Sequence, residues 1–271
     1  MREVGIVGLG LIGGSLGLAL RRLHDRVRVT GVTRSPSNAD AAVARGAVDR
    51  TGTSLQLLSE CELVVVATPI ANIAGTLEQV ADAVPEAALI TDVASVKLPI
   101  LDAARRLPAP TRFLGGHPMA GKAESGITNA DASLFQGMAW VFTPFDGQDL
   151  GPFQWWFELI GEIGARPSLM AAAEHDRQAA YVSHLAFTLS AAYAATVTAH
   201  GGEAMAGPGF RSMTRLAAGD SRMYGDIASA NQGPVLEAID AFTETLAEYR
   251  RRIAARDRLS ELFTEAGRAR A

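Results

Sequence analysis

Val4-Gly5-Ile6-Val7-Gly8-Leu9-Gly10-Leu11-Ile12-Gly13-Gly14-Ser15-Leu16 is the stretch on which the fold turns. Val4 to Val7 is a short apolar run rich in β-formers, and Ser15 to Leu23 has helical character. Between them G-x-G-x-x-G stands in strand–turn–helix context, which lifts it above chance. Gly8 makes the turn, Gly10 lets backbone approach a pyrophosphate, and Gly13 lets the helix pack on the strand. The cofactor turn therefore comprises Gly8, Gly10, Leu11, Ile12 and Gly13, with phosphates at the helix N-terminus. A ligand-free glycine turn is the plainer alternative, and the context favours dinucleotide binding.

Outward from that turn, Val27 to Val32 reads as a second strand, ending in Thr33-Arg34-Ser35. A fold selective for NAD usually places Asp or Glu about 20 residues past the glycines, on the ribose 2′-hydroxyl. Here Thr33 stands there, and Arg34 with the two hydroxyls suits a 2′-phosphate. NADP is favoured over NAD, with a solvated Arg34 as the alternative. A helix over Ser37 to Arg45 and a short strand at Ala47-Val48 follow. Leu63 to Ala67 is a continuous apolar run, as a strand buried on both faces of a parallel sheet requires. It stops at Thr68-Pro69, beneath the expected cofactor. Ile73 to Val84 is the next helix, and Ala87 to Thr91 the next strand, running into Asp92-Val93-Ala94-Ser95-Val96-Lys97. Ser95 is either the N-cap of the helix through Leu101 and Arg105 or a site residue, because the carboxyl edge of such sheets carries the ligand. Asp92 at the same strand end joins Thr68 and Pro69 as a cofactor-side residue.

A strand over Thr111 to Leu114 leads into the loop Gly115-Gly116-His117-Pro118-Met119-Ala120-Gly121. Pro118 fixes its own φ and pushes His117 out of the helical region. A histidine held that rigidly among small neighbours is a candidate general base. The plainer reading is a strand-ending turn whose histidine bonds a nearby carbonyl. Ala139 to Thr143, a helix over Trp155 to Ile163, and Arg166 to Met170 complete the α/β pattern, which gives a dinucleotide-binding domain over 1–170. From Glu174 the period becomes helical. Val182, Leu185, Leu189, Ala192 and Thr196 repeat on one side, while Ala180, Phe187, Ala191 and Ala195 make the other side apolar or small, as in a buried helix. Leu236, Ile239, Phe242, Leu246, Tyr249 and Ile253 form a long second stripe. An all-helical region over 171–271 with that much apolar surface implies a homodimer.

The formal net charge of −4 provides no global field for nucleic acid or an anionic membrane. The single cysteine, Cys61, excludes an intramolecular disulfide and fits a reducing compartment. Its neighbours Glu60 and Glu62 disfavour a thiolate, so a buried structural thiol is expected. No run approaches the ~20 apolar residues of a membrane helix. The chain enters a strand directly with no signal-peptide core, and a cytoplasmic location is expected.

The motifs together resemble the prephenate and arogenate dehydrogenases of tyrosine biosynthesis, which join a Rossmann-like domain to a helical dimerisation domain. The resemblance rests on Gly8 to Leu16, Thr91 to Lys97, Gly116 to Gly121, His175-Asp176, Ser183-His184-Leu185 and Phe210-Arg211-Ser212-Met213-Thr214-Arg215, in order over nearly the whole chain. It implies oxidation of a ring carbinol with loss of CO₂, on prephenate or, as the alternative, arogenate. His117 would accept the hydroxyl proton as hydride leaves for the nicotinamide, and Ser95 would bond that hydroxyl or orient His117. Arg215 would hold a substrate carboxylate, with Arg211, Lys97 and Lys122 as further cations. Rearomatisation drives the reaction, so no metal is required. For Arg211 and Lys122 a solvated surface charge is an equal alternative. For His184 a satisfied core histidine comes first and a substrate contact second.

Three departures bear on substrate choice. Many prephenate-preferring members have a second histidine where Phe187 stands, many have Asp where Ser212 stands, and Thr is common where Lys122 stands. Thr33-Arg34-Ser35 is similar to NADP-using arogenate enzymes. A β-hydroxyacid dehydrogenase or imine reductase is a competing enzyme reading, but it needs a lysine on the long helix, and Glu174 to Ala199 contains none. A non-catalytic NADP-binding sensor explains the glycine turn and leaves Ser95, His117 and Arg215 without a purpose.

Overall fold

The computed structural model describes residues 1–122 and 124–268. Its strands are β1 (Arg2–Val7), β2 (Val27–Val32), β3 (Arg50–Gly52), β4 (Leu63–Val66), β5 (Leu89–Asp92), β6 (Phe113–Pro118), β7 (Ala139–Thr143) and β8 (Arg166–Leu169). They form one sheet in the order β3-β2-β1-β4-β5-β6-β7-β8. The strands from β1 to β6 pair in parallel. β7 runs antiparallel to β6, and β8 parallel to β7. The order 3-2-1-4-5-6 is that of a dinucleotide-binding sheet, whose ligand crevice lies outside the carboxyl strand ends.

The crossovers are α1 (Leu11–Arg21), α2 (Pro36–Ala44), α3 (Ile70–Ala83) and α4 (Leu98–Ala104), with α5 (Gln154–Glu162) joining β7 to β8. Leu16 and Leu20 of α1 share one buried layer with Trp156 and Ile160 of α5 and with Trp140 and Phe142 of β7. Ile73, Leu77 and Val80 of α3 share the opposite layer with Ile100 and Leu101 of α4. All four residues of β4 lie between these layers and are buried, as its unbroken apolar sequence requires. Cys61 is buried in the second layer, where loss of solvation pushes its thiol up to about 11.

The helical region contains α6 (Ala172–Ala179), a π-helical turn over Ala180–His184, α7 (Leu185–Ala199), α8 (Pro208–Thr214), a 3₁₀ turn over Arg215–Ala218, α9 (Ser221–Ala230), α10 (Gln232–Ala255) and α11 (Leu259–Arg268). The sequence expectation of an all-round buried helix does not hold for the single chain. In α7 only Leu185, Phe187 and Ser190 are buried. Tyr193 of α7 and Val182 of the preceding turn are exposed.

Two local differences from expectation have clear causes. Ala47 and Val48 are buried but not a strand. Ala47 donates its amide to Ala42 O and Gly46 donates to Val43 O, closing the end of α2 with a Schellman pair. The pairing with β2 begins later, at Thr30 and Arg50. The histidine loop is likewise not a loop: Gly115 to Pro118 continue β6 and pair with Thr143 to Trp140 of β7.

Candidate active site

The glycine turn presents what a dinucleotide needs. α1 starts from Gly10 with no side chain capping it, so its first amides lack partners within the helix. Gly8 has φ 102°, a region that disfavours side chains, and a Cβ there would lie 2.5 Å from Ala67 O. A Cβ on Gly13 would lie 2.0 Å from Gly8 O, so the helix sits directly on the turn. A Cβ on Gly10 would meet nothing within 4 Å, which leaves open space over the helix terminus. Just past β4, Thr68 Oγ1 is buried without a hydrogen-bond partner, and Pro69 begins α3. Free amides, open space and an orphaned hydroxyl together fit a nicotinamide dinucleotide.

Past β2, Thr33 is buried and its amide donates to Gly52 O at 3.0 Å. Ser35 caps α2 by accepting the Asn38 amide, and its hydroxyl lies 2.8 Å from that of Ser37. Arg34 is exposed and makes no ion pair among the described residues. Of this turn, the Arg34 side chain alone makes no hydrogen bond or ion pair among the described residues, while the Ser35 hydroxyl is engaged at the start of α2.

His117 lies near the end of β6 with 7% of its surface exposed. Its Nδ1 is 2.8 Å from Nε2 of His175, and His175 Nδ1 is 2.8 Å from Asp176 Oδ1. Its Nε2 has no hydrogen bond among the described residues. Burial, then the neighbouring His175, Lys97 and His184, hold the His117 imidazole well below its ordinary value, so it is neutral at pH 7. The flanking glycines serve packing rather than ligand approach. A Cβ on Gly115 would lie 2.2 Å from Thr143 Oγ1, and one on Gly116 would lie 2.6 Å from Asp92 O.

The Asp176 carboxylate also accepts the amides of Lys97 (2.7 Å) and Leu98 (2.8 Å), so it caps α4 from the helical region. Ser95 is not the cap of that helix. It is half-buried, and its hydroxyl makes no hydrogen bond among the described residues. Asp92 is fully buried and accepts the amides of Ala94 and Gly116. Its expected place at the cofactor is therefore corrected: the carboxylate braces the site from inside. Lys97 is corrected too, because burial commits its ammonium to Asp92 and Gly116 O.

His184 Nδ1 accepts from Asn231 Nδ2 at 3.1 Å, and the same amide group donates to Asp176 O at 2.8 Å. His184 Nε2 is buried without a hydrogen bond of good geometry, and the Ser95 backbone lies within reach of the ring. Burial, partly offset by Asp176, pushes its imidazole down to about 4. Arg215 is exposed and opens the 3₁₀ turn that Ala217 anchors to Ser190 Oγ. Its neighbour Leu216 packs on Phe187, Ile227 and Val96, which brings this turn to the strand end that carries Ser95. Arg211 is exposed on α8, whose Phe210 ring lies against Tyr193. Lys122 is tied to Asp131 at 2.9 Å and to Asn129 O, which corrects its expectation as a free substrate cation.

Residues 16–169 match the family described as prephenate dehydrogenase, nucleotide-binding domain, and residues 171–265 match its dimerization domain. The chain belongs to the prephenate dehydrogenase family. Prephenate dehydrogenase of Lactococcus lactis is 32% identical over 99% of this chain and 76% of its own. Synechocystis arogenate dehydrogenase is 32% identical, with a TM-score of 0.85 over 99% of both chains. Prephenate dehydrogenase of A. aeolicus, solved with hydroxyphenyl propionate and NAD⁺, is 28% identical, with a TM-score of 0.89 over 100% of this chain and 97% of its own. A (S)-3-hydroxybutyryl-CoA dehydrogenase from Ralstonia eutropha at 16% identity and a TM-score of 0.57 shares the fold alone. Family membership therefore decides against the β-hydroxyacid dehydrogenase reading.

His175, Asp176 and Asn231 are the site residues whose roles the sequence left open. The adjacent His-Asp pair was visible as part of the family resemblance, but nothing in its spacing pointed to His117.

Proposed function

We propose that this protein oxidises prephenate to 4-hydroxyphenylpyruvate and CO₂ with a nicotinamide cofactor, NADP before NAD. The observation that carries this reading is His117: buried, neutral, with Nε2 free, on the strand next to the one that leads to Ser95. Bound at the glycine turn, the nicotinamide supplies a hydride acceptor. His117 Nε2 takes the ring hydroxyl proton as the carbinol C–H bond gives up hydride. The ring C–CO₂ bond breaks, its electron pair makes the ring aromatic, and a proton returns to the phenolate oxygen. Ser95 offers its uncommitted hydroxyl to the reacting oxygen. General-base help of this kind is worth about 10²–10⁴-fold.

Two substrate carboxylates need cationic or N–H partners. Arg215 is the proposed partner of one, with Arg211 behind it, and the N–H of His184 is the candidate for a second anionic oxygen. A 2′-phosphate is held by Arg34 with the hydroxyls of Ser35 and Ser37. The working unit is a homodimer through the helical region, with the domains meeting near residue 170.

Arogenate is the second reading, favoured by Phe187, which replaces a family histidine and stacks on Tyr224 with ring centroids 4.2 Å apart. Purified protein mixed with each substrate and each cofactor, followed at the absorbance of the reduced nicotinamide, tests both. Turnover of prephenate with NADP is the expected result. Arogenate as the only substrate would replace the first reading by the second, and silence in all four mixtures would remove both.

A further inference from the structure

Asp176 and His175 make a chain of contacts whose chemistry leaves one protonation pattern. Asp176 Oδ1 receives the Lys97 amide at 2.7 Å and lies 2.8 Å from His175 Nδ1, while Oδ2 receives the Leu98 amide at 2.8 Å. Both oxygens of the Asp176 carboxylate accept backbone amides, and a carboxylate oxygen meets a ring nitrogen as an acceptor. Its neighbour His175 Nδ1 must therefore donate. His175 is buried, and with Nδ1 donating, the neutral ring has its lone pair on Nε2. That lone pair faces His117 Nδ1 at 2.8 Å. Two lone pairs cannot make this contact, so the proton of neutral His117 sits on Nδ1.

We infer that Asp176, acting through His175, sets the tautomer of His117 and thereby makes Nε2 its basic nitrogen. His175 and Asp176 are positioning residues, and the inference rests on His117 being the base. The arrangement is also preorganised. After Nε2 takes a proton, Nδ1–H still donates to the same acceptor, so no partner has to be exchanged during the step. The opposite pattern, a doubly protonated His175 donating to His117 Nδ1, would place the His117 proton on Nε2 and disable the base.

Asp176 links the base to the fold as well. It lies on α6, yet the amides it holds begin α4 of the sheet domain, and its own carbonyl accepts from Asn231. The tautomer of a residue on β6 is thus governed from the helical region. Asp176→Asn disturbs the cap of α4, so it is a poor probe. Varying His175 removes one contact of Asp176 Oδ1 but leaves the carboxylate and both capping amides in place.

The test uses the intact protein labelled with ¹⁵N-histidine, with the His117 signals assigned from the spectrum of His117→Asn. The expected wild-type spectrum at neutral pH has the proton on Nδ1 of His117 and a bare Nε2. A proton on Nε2 would overturn the inference whatever the activity. The kinetic arm compares His175→Leu, which removes the acceptor, with His175→Gln, whose amide oxygen replaces it. His175→Leu should lose about 10²–10⁴-fold in kcat with little change in KM, and His175→Gln should recover part of it. Equal kcat values for Leu, Gln and wild type would sink the relay. Retained activity in His117→Asn would instead sink the base assignment, so the two failures are distinguishable.

Discussion

Lys97 and Asp92 form an ion pair with no exposed surface, and between them they hold both polar groups of one peptide residue. Asp92 Oδ1 accepts the Gly116 amide at 3.0 Å, and Lys97 Nζ donates to Gly116 O at 2.6 Å. The β5–β6 ladder ends at Thr91 and Leu114. The ion pair therefore carries the attachment of β6 onward to the residue before His117.

Removing one partner leaves a buried, uncompensated charge, which costs about 3–5 kcal/mol. Lys97→Met should lose that much stability in urea unfolding. The double variant Lys97→Met/Asp92→Asn should recover part of it, because the stranded carboxylate is gone. A loss under about 1 kcal/mol in the single variant would deny the pair this bracing role.

His117→Asn should lower kcat by about 10²–10⁴-fold while KM changes little, since the side chain acts on a proton rather than on a carboxylate. The pH profile carries a separate signal. Burial, His175, Lys97 and His184 all push the His117 imidazole down, and the charged groups around it are Lys97, Asp92 and Asp176. Its basic form persists below the ordinary value of 6.5, so kcat/KM should hold through that pH and fall only further down. A limb centred at the ordinary value would contradict the desolvated site.

His184 links pH to stability. Its folded value of about 4 lies below the ordinary 6.5, so the unfolded chain binds the proton more readily between them. Stability from this group is present above the ordinary value and is lost as pH falls toward the folded one, by about 2 kcal/mol from pH 7 to pH 5. His184→Gln keeps an acceptor for Asn231 and does not titrate. Its unfolding free energy should fall less steeply over that interval, and parallel curves for both proteins would reject the linkage.

Much of this was legible in the sequence because it is local. The bounds of β2 and β7 follow from apolar runs ended by turn residues, and the glycine turn announces itself by spacing. The strand at Ala47-Val48 was misplaced because burial there serves the end of α2, and hydrophobicity alone does not separate the two uses. Gly115 and Gly116 suggested a loop, although tight contact with Thr143 and Asp92 is what requires them. The His175–Asp176 relay is non-local, since His175 lies 58 residues from His117, and no periodicity marks such a contact. Lys97 looked like a substrate cation because its buried partner only becomes evident once β5 and β6 lie side by side.

The cofactor preference tests the end of β2. A charge-assisted hydrogen bond contributes about 1.5–3 kcal/mol, which is roughly tenfold to a hundredfold in affinity. Arg34→Ala should weaken NADP by that factor and leave NAD nearly unchanged, measured by titrating each oxidised cofactor. Ser35 is less informative as a first variant, because it also caps α2. Equal weakening of both cofactors would remove the 2′-phosphate role from Arg34.

The helical region tests assembly. Val235 and Ala238 of α10 pack inward with Leu185 and Ala180. On the same helix Leu236, Leu246 and Ile253 remain 53%, 56% and 51% exposed, and Phe263 of α11 is 60% exposed. A helix with two apolar sides, only one of them covered within the chain, needs a second surface. A second copy would supply it with no new fold, because one stripe can pair with itself across a two-fold axis. Leu246→Asp/Ile253→Asp touches no buried position of the single chain, so each protomer should keep its helical content while sedimentation moves from dimer to monomer. A double variant that stays dimeric at the same concentration would place the interface elsewhere, and loss of helical content would mean that these residues support the protomer itself.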